Sequence, residues 1–254
     1  MGTVNGKSVI ITGGAGEIAR EVAAQFLAGG AQVLLVDMNE EALRSTVESL
    51  ASNSVVYCVA DVTSEDDTRA YVQKAMKSFG KIDVLAANAG IEGIVAPVNE
   101  YDTEAFRRLI DINVIGVFLG IKHVFPFMAE QGGGSIVITS SVAGVWGSPG
   151  MSAYNTSKHA VIGLMRSTAK DGGPLNIRVN TVNPAPVEGR MIESLEQGTS
   201  PDDPDAMRKT LIESIPMGRY GVPADVANLV CFLAGEESQF LTGGVYMVDG
   251  GMTA

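Results

Sequence analysis

Residues 9–23, VIITGGAGEIAREVA, read as an apolar strand that passes through a glycine-rich turn into a helix. That is the local context a dinucleotide-binding turn requires. Glycine permits the tight turn, and the helix starting near Glu17 points free N–H groups at an incoming pyrophosphate. A glycine-rich turn can also be an ordinary loop, so the rest of the chain decides. Working outward, apolar runs of strand length recur as SVIIT, QVLLVD, VVYCVAD, DVLAAN, SIVITS, IRVNTV and VYMVD. Helix-period segments lie between them, at 17–28, 40–51, 64–79, 104–130 and 152–170. Continuous rather than alternating apolarity predicts strands buried on both faces, hence a parallel sheet with helices on each side. Repeated βα units joined right-handedly give a doubly wound α/β fold whose ligand site lies at the carboxyl ends of the strands. Thr12, Asp37, Asp61, Asn88, Ser141 and Asn183 fall at or just beyond such ends.

Tyr154 and Lys158, in AYNTSKHA, would sit one helical turn apart on a single face. A phenol titrates near pH ~10, and a fixed positive charge a few ångströms away lowers that value, which makes the pair a proton-transfer catalyst. The same spacing arises readily on any solvated helix, so its company matters. Upstream, GSIVITSS is a strand of β-branched residues ending in hydroxyls, with Ser141 thirteen positions before Tyr154.

These features stand in the order and spacing of the short-chain dehydrogenase/reductase family, which the chain resembles over nearly its whole length. The matching stretches are Thr12-Gly13 with the turn after it, Asp61-Val62, the NAG at 88–90, Asn113, Ser141, Tyr154, Lys158, the NPAPV from Asn183 and the closing VDGG. The resemblance implies one Rossmann-type domain over residues 1–254 and an oxidoreductase interconverting a secondary alcohol and a ketone. Tyr154 would be the general base in oxidation and the general acid in reduction, its pKa drawn toward operating pH by Lys158 and the nicotinamide charge. Ser141 would hold the substrate oxygen, and Lys158 would also bind the nicotinamide ribose. Asn113 occupies the position whose helix distortion seats a water leading from Lys158 to solvent, although a lone Asn in an apolar helix is more often a satisfied buried amide.

The implied cofactor site runs through Gly13, Glu17 and Ile18 in the first turn, then Asp37, Asp61 and Val62. It continues through Asn88, Ala89 and Gly90, and closes with Tyr154, Lys158, Pro184 and Val187. The Asp37 carboxylate can accept from the ribose 2′- and 3′-hydroxyls and would repel a 2′-phosphate, while Met38 brings no cation, so NAD is preferred over NADP. Asp37 could also cap the following helix. Asp61 would meet the adenine amino group, or simply form a turn before the helix that starts near Ser64. Three departures from T-G-x-x-x-G-x-G and from the later pattern stand out: Glu17 and Ala19 replace glycines, and Gly189 replaces a threonine. Glu17 brings a carboxylate near the pyrophosphate, and Gly189 removes a hydroxyl that would touch the carboxamide.

Residues 184–216 separate the sixth strand from the next regular helix by far more than an ordinary connection. The family places a substrate lid here, at about 188–214, with Met191, Ile192 and Leu195 available for its apolar underside; a surface helical hairpin is the alternative. Val145, Trp146 and Met151, with Ile91 and Glu92 after the NAG, predict an apolar pocket wall with one acidic group, hence an apolar or cyclic secondary alcohol. Trp146 could instead fill core or a subunit interface. A sugar dehydrogenase or 3-oxoacyl reductase of the same family is the alternative enzyme, and a non-catalytic dinucleotide-binding regulator the alternative outside catalysis.

The chain has 254 residues, 46% of them hydrophobic, with no linker-like break, so one core is expected. A net charge of −11 argues against nucleic acid and anionic membrane as partners. The first residues run straight into a strand without a signal-peptide pattern, and Gly2 is not followed by the Ser or Thr that a myristoylation signal wants at position 6. The longest apolar run is interrupted by Lys122, His123 and Pro126, and a cytoplasmic protein is expected. Cys58 and Cys231 read as buried thiols, and His123 and His159 lack metal-site spacing, so no metal is expected. The family pairs subunits through segments like LTGGVYMVDGGMTA, which implies a homotetramer acting on a small-molecule substrate.

Overall fold

Seven runs rich in Val, Ile and Leu form the strands of a computed structural model that describes residues 4–254; Gly2 lies outside the described residues. The strands are β1 (Ser8–Thr12), β2 (Gln32–Asp37), β3 (Val55–Val59), β4 (Val84–Ala87), β5 (Gly134–Thr139), β6 (Ile177–Pro184) and β7 (Val245–Val248). All neighbours pair in parallel, in the order β3-β2-β1-β4-β5-β6-β7. The chain therefore changes direction across the sheet between β1 and β4, and the carboxyl ends of those two strands border the crevice where ligands of such folds bind.

Helices α1 (Glu17–Ala28), α2 (Glu40–Leu50), α3 (Glu65–Phe79), α4 (Thr103–Ile110), α5 (Gly116–Glu130), α6 (Ser152–Gly172) and α9 (Pro223–Ala234) cover the two faces, while α7 (Arg190–Thr199) and α8 (Pro204–Glu213) follow β6. Both faces of the sheet are covered over its central strands, and β1 shows why its apolar run is continuous. Val9 and Ile11 join Phe26, Val33, Leu35 and Val230 in one core. Ile10, between them, points the other way into a core with Leu34, Tyr71, Ile136 and Met165. Side chains alternate across a strand, so burial on both faces demands apolar residues at every position. Three helices start at polar residues that cap them: Asn39, Ser64 and Asp102 accept from Ala42, Asp67 and Ala105. Asn39 is the cap of α2, and Asp37 instead accepts the Asn39 N–H at 3.0 Å.

The helix expected over 104–130 is α4 and α5 joined by a π turn, Asp111–Ile115. Thr103–Glu130 is long and apolar enough to cross a membrane by length and composition. It packs here against β4, β5, α3 and α6, with Lys122 and His123 both on Glu65 at 2.7 and 2.9 Å. Cys231 is buried as expected, but Cys58 is only partly so, because it lies on the edge strand β3, which pairs with β2 alone. Among the described residues no group of three His, Cys, Asp or Glu stands close enough to hold a metal ion.

Candidate active site

The carboxyl ends of β1, β4 and β5 are tied together by hydroxyls. Thr12 Oγ1, at the end of β1, accepts the N–H groups of Asn88 and Ala89, each at 3.1 Å, and Thr139 Oγ1 donates to Asn88 Oδ1 at 3.1 Å. These bonds fasten the NAG segment across the strand-order switch. Gly13 completes the contact: it has φ +67°, and a Cβ there would lie 2.9 Å from Ala89 Cα. Only glycine lets the first turn lie this close to the segment.

Tyr154 and Lys158 lie one turn apart on α6, both buried, with Lys158 Nζ 5.5 Å from the centre of the phenol ring. Lys158 Nζ donates to the Thr139 carbonyl at 2.9 Å, and the Lys158 carbonyl accepts from Ser140 at 3.0 Å. Ser141 accepts the Ala143 N–H at 3.1 Å and donates to the Pro184 carbonyl at 3.4 Å, which places it between β5 and the end of β6.

Burial pushes the Tyr154 phenol up to about 12; the Ser141 hydroxyl works in the opposite direction, and the Glu92 carboxylate adds to the rise. Burial likewise pushes the Lys158 ammonium down to about 8. The sequence predicts a lowered phenol, whereas burial raises it. Both groups have left water, which disfavours the charged form of each; at about 8 Lys158 is still an ammonium at neutral pH, and it is directed at the Thr139 carbonyl.

Asn113 sits in the π turn with 1% of its surface exposed. Its amide is fully engaged: Oδ1 accepts the Ile91 N–H at 2.8 Å, and Nδ2 donates to the Ile91 carbonyl at 2.9 Å and to Ser157 Oγ at 3.1 Å. A Cβ on Gly90 would lie 3.2 Å from Asn113 Oδ1 and 3.6 Å from Lys158 Nζ. Asn113, Lys158 and Gly90 thus meet at one point, and Asn113 is a satisfied buried amide within a distorted helix. Ser157 and Thr139 are parts of this arrangement that the sequence analysis missed. Ser157 stands three residues after Tyr154, a spacing that could have flagged it.

The donor set suits a dinucleotide. The Asp37 carboxylate accepts from Ala15 N at 3.2 Å and Asn39 N at 3.0 Å, keeping lone pairs for further donors, and Met38 beside it is exposed. Gly14 packs so closely on β2 that a Cβ would lie 2.8 Å from Leu35 Cβ. Ile18 and Val187 rest half-buried on the core beneath the turn. Val62 packs against Gly116, where a Cβ would lie 2.8 Å from Val62 Cγ2. Asp61 accepts both the N–H and the hydroxyl of Thr63, at 2.9 and 2.8 Å, so it does form the turn before α3.

Glu17, the first residue of α1, reaches across to the segment that follows β6. Its Oε1 accepts the backbone N–H of Arg190 at 3.2 Å, at the start of α7. The Arg190 guanidinium reaches Glu92 with two bonds of 2.8 and 3.3 Å. Burial raises the Glu92 carboxyl, but the bonds from Arg190, its own backbone N–H and Ser194 outweigh this and leave it below the usual range. Ile91 and Met151 pack against the apolar cluster that holds Tyr154, whereas Val145 and Trp146 are 44% and 38% exposed. Ile192 and Leu195 of α7 join Val142, Ala185, Ile215 and Tyr220 in a small separate core.

A family described as enoyl-(acyl carrier protein) reductase matches residues 13–253. Levodione reductase of Leifsonia aquatica is 35% identical over 97% of this chain and 94% of its own. A 2,5-dichloro-2,5-cyclohexadiene-1,4-diol dehydrogenase of Sphingobium indicum is 37% identical over the whole of both chains. The crystal structure of an NAD+-bound xylitol dehydrogenase superposes with a TM-score of 0.93 at 38% identity, covering 98% of this chain and 99% of that one. With the sheet order, the hydroxyl-tied crevice and the Ser141, Tyr154 and Lys158 grouping, these likenesses make the chain a member of the short-chain dehydrogenase/reductase family, an NAD(P)-dependent oxidoreductase acting on CH–OH groups.

Proposed function

We propose that the protein is an NAD-dependent dehydrogenase or reductase interconverting an apolar or cyclic secondary alcohol and its ketone, with Tyr154 as the proton carrier. The observation that carries this is the meeting of Ser141, Tyr154 and Lys158 beside Gly90 at the strand-order switch. Bound nicotinamide supplies the hydride acceptor in oxidation and the donor in reduction. Ser141 orients the substrate oxygen, and Tyr154 takes or gives its proton. Lys158, held by the Thr139 carbonyl, places its charge beneath the ring, and Asn113 holds Gly90-Ile91 in place. Asp37, with no cation in the adjoining position, favours a free 2′-hydroxyl and so NAD. The dichlorocyclohexadienediol relative and the Ile91 and Met151 wall support a cyclic or apolar substrate.

Residues 188–214 serve as the lid, its support being Arg190 of α7 paired with Glu92 beside the tyrosine. The assembly is a homotetramer, a reading that rests on the family and on the half-buried edge strand β7, and its setting is cytoplasmic. The acyl-carrier-protein reductase reading gains from the family description, but a carrier of acidic character would meet a chain of net charge −11.

Absorbance of NADH, followed with cyclic secondary alcohols, polyols and an acyl thioester, and repeated with NADP, tests the proposal. Turnover is expected with NAD and cyclic alcohols. Turnover confined to the thioester, or cofactor binding without turnover on any of them, would overturn it.

A further inference from the structure

Two of the residues that depart from the family pattern, 172 positions apart in the chain, touch each other. A Cβ on Gly189 would lie 3.0 Å from Glu17 Cδ and 3.2 and 3.3 Å from its two carboxylate oxygens. Gly189 has φ +141°, in the region that favours glycine. Helix α7 begins at the next residue, and Gly189 offers it no side-chain cap. The first N–H groups of a helix have no partner within it and carry the positive end of its dipole. Glu17 supplies the missing acceptor from outside, through Arg190 N. The same carboxylate opens α1, so one anion faces the amino ends of two helices. On its other side Arg190 is gripped by the buried Glu92.

We infer that Glu17 and Gly189 form a coupled pair in which the carboxylate anchors the amino end of α7, making both of them positioning residues for the lid. The inference rests on residues 188–214 being that lid. Threonine at 189 would fill the space the carboxylate occupies, and glycine at 17 would leave α7 without its anchor; each departure makes room for the other. A cofactor pyrophosphate drawn to the amino end of α1 adds negative charge beside Glu17. Cofactor binding and lid anchoring therefore oppose each other through this residue.

Hydrogen exchange of residues 190–199 in the ligand-free protein tests the anchor, using Glu17→Gly, Glu17→Gln, Gly189→Thr and the double variant, each checked for folding by circular dichroism. Loss of a charge-assisted bond to an otherwise unpaired N–H predicts exchange about fivefold to tenfold faster in Glu17→Gly. Glu17→Gln keeps an acceptor oxygen and is expected to stay within about threefold of the parent. Gly189→Thr is expected to speed exchange severalfold more in the parent than in the Glu17→Gly background. Calorimetric titration at low salt is expected to show NAD binding about threefold to tenfold tighter in Glu17→Gly. Unchanged exchange in Glu17→Gly, or an equal effect of Gly189→Thr in both backgrounds, would overturn the pairing, and unchanged NAD affinity would overturn the opposition. Exchange is read without cofactor or substrate, so a failed substrate panel with accelerated exchange refutes the proposed reaction and not the anchor.

Discussion

A phenol that burial holds near 12 cannot act as a base at neutral pH unless something in the working complex favours its anion. The groups in place for that are the Ser141 hydroxyl and the Lys158 charge beneath the ring, joined by the positive charge of oxidised nicotinamide when it binds. Tyr154→Phe removes the hydroxyl and keeps the ring. Turnover is expected to fall by about 10²- to 10⁴-fold or more, with NAD affinity and circular dichroism retained. Near-parental kcat would refute the assignment. At the other end of the crevice, Asp37 is not the helix cap, because Asn39 holds that place. Asp37→Ser is therefore expected to narrow the preference for NAD through lost ribose bonds and relieved repulsion, by about tenfold or more in the ratio of kcat/KM for the two cofactors. A ratio that does not move would show that Asp37 does not meet the ribose. Glu17 was the residue least legible in advance. Its position at a helix start was plain, but the partner that captures its carboxylate lies on α7, and no local pattern announces a contact over 173 residues.

The strands and most helix limits could be read directly, since a sheet covered on both sides leaves continuous apolar runs and capping residues mark where helices start. The π turn at Asp111–Ile115 could be expected only through the resemblance, which places a helix distortion at Asn113, because the apolar residues of 104–130 read as one continuous helix. What identifies it is a long-range cause: both polar atoms of Asn113 bond the Ile91 peptide. The segment after β6 was legible as an insertion able to form two helices, which α7 and α8 are, whereas its docking by Arg190 was not. That docking has a readable consequence, since Glu92 raises the Tyr154 phenol while it grips Arg190. Glu92→Gln removes the negative charge and leaves the Arg190 charge unneutralised, and both changes favour the phenolate. The rise of kcat with pH in the oxidation direction should shift to lower pH, by about half a unit, or ~0.7 kcal/mol. A profile at the parental position would show that Glu92 does not act on the tyrosine.

For the whole molecule, sheet order follows from right-handed connections and the switch between β1 and β4, so the single chain was largely predictable. A homotetramer is expected from the resemblance alone, and which faces would carry it is written only in which apolar residues remain outside. Ile115 and Phe118, three residues apart and so on one helical face, are 40% and 43% exposed, and Phe240 is fully exposed. Strand β7 closes one edge of the sheet with every residue only half-buried, and its outer side has no neighbouring strand. Unpaired strand edges and large exposed apolar side chains both favour association, and a stable interface covers roughly 800 Å² on each partner. Two separate regions, the α5 face and the β7 edge, suit two kinds of two-fold contact, which together would build the proposed tetramer. Sedimentation at micromolar concentration is expected to show four chains. Phe118→Glu places a charge on the α5 face proposed as an interface and is expected to yield a smaller species with unchanged far-ultraviolet circular dichroism. A parent protein that sediments as a monomer would remove the tetramer, while a tetramer indifferent to Phe118→Glu would move the interface away from α5.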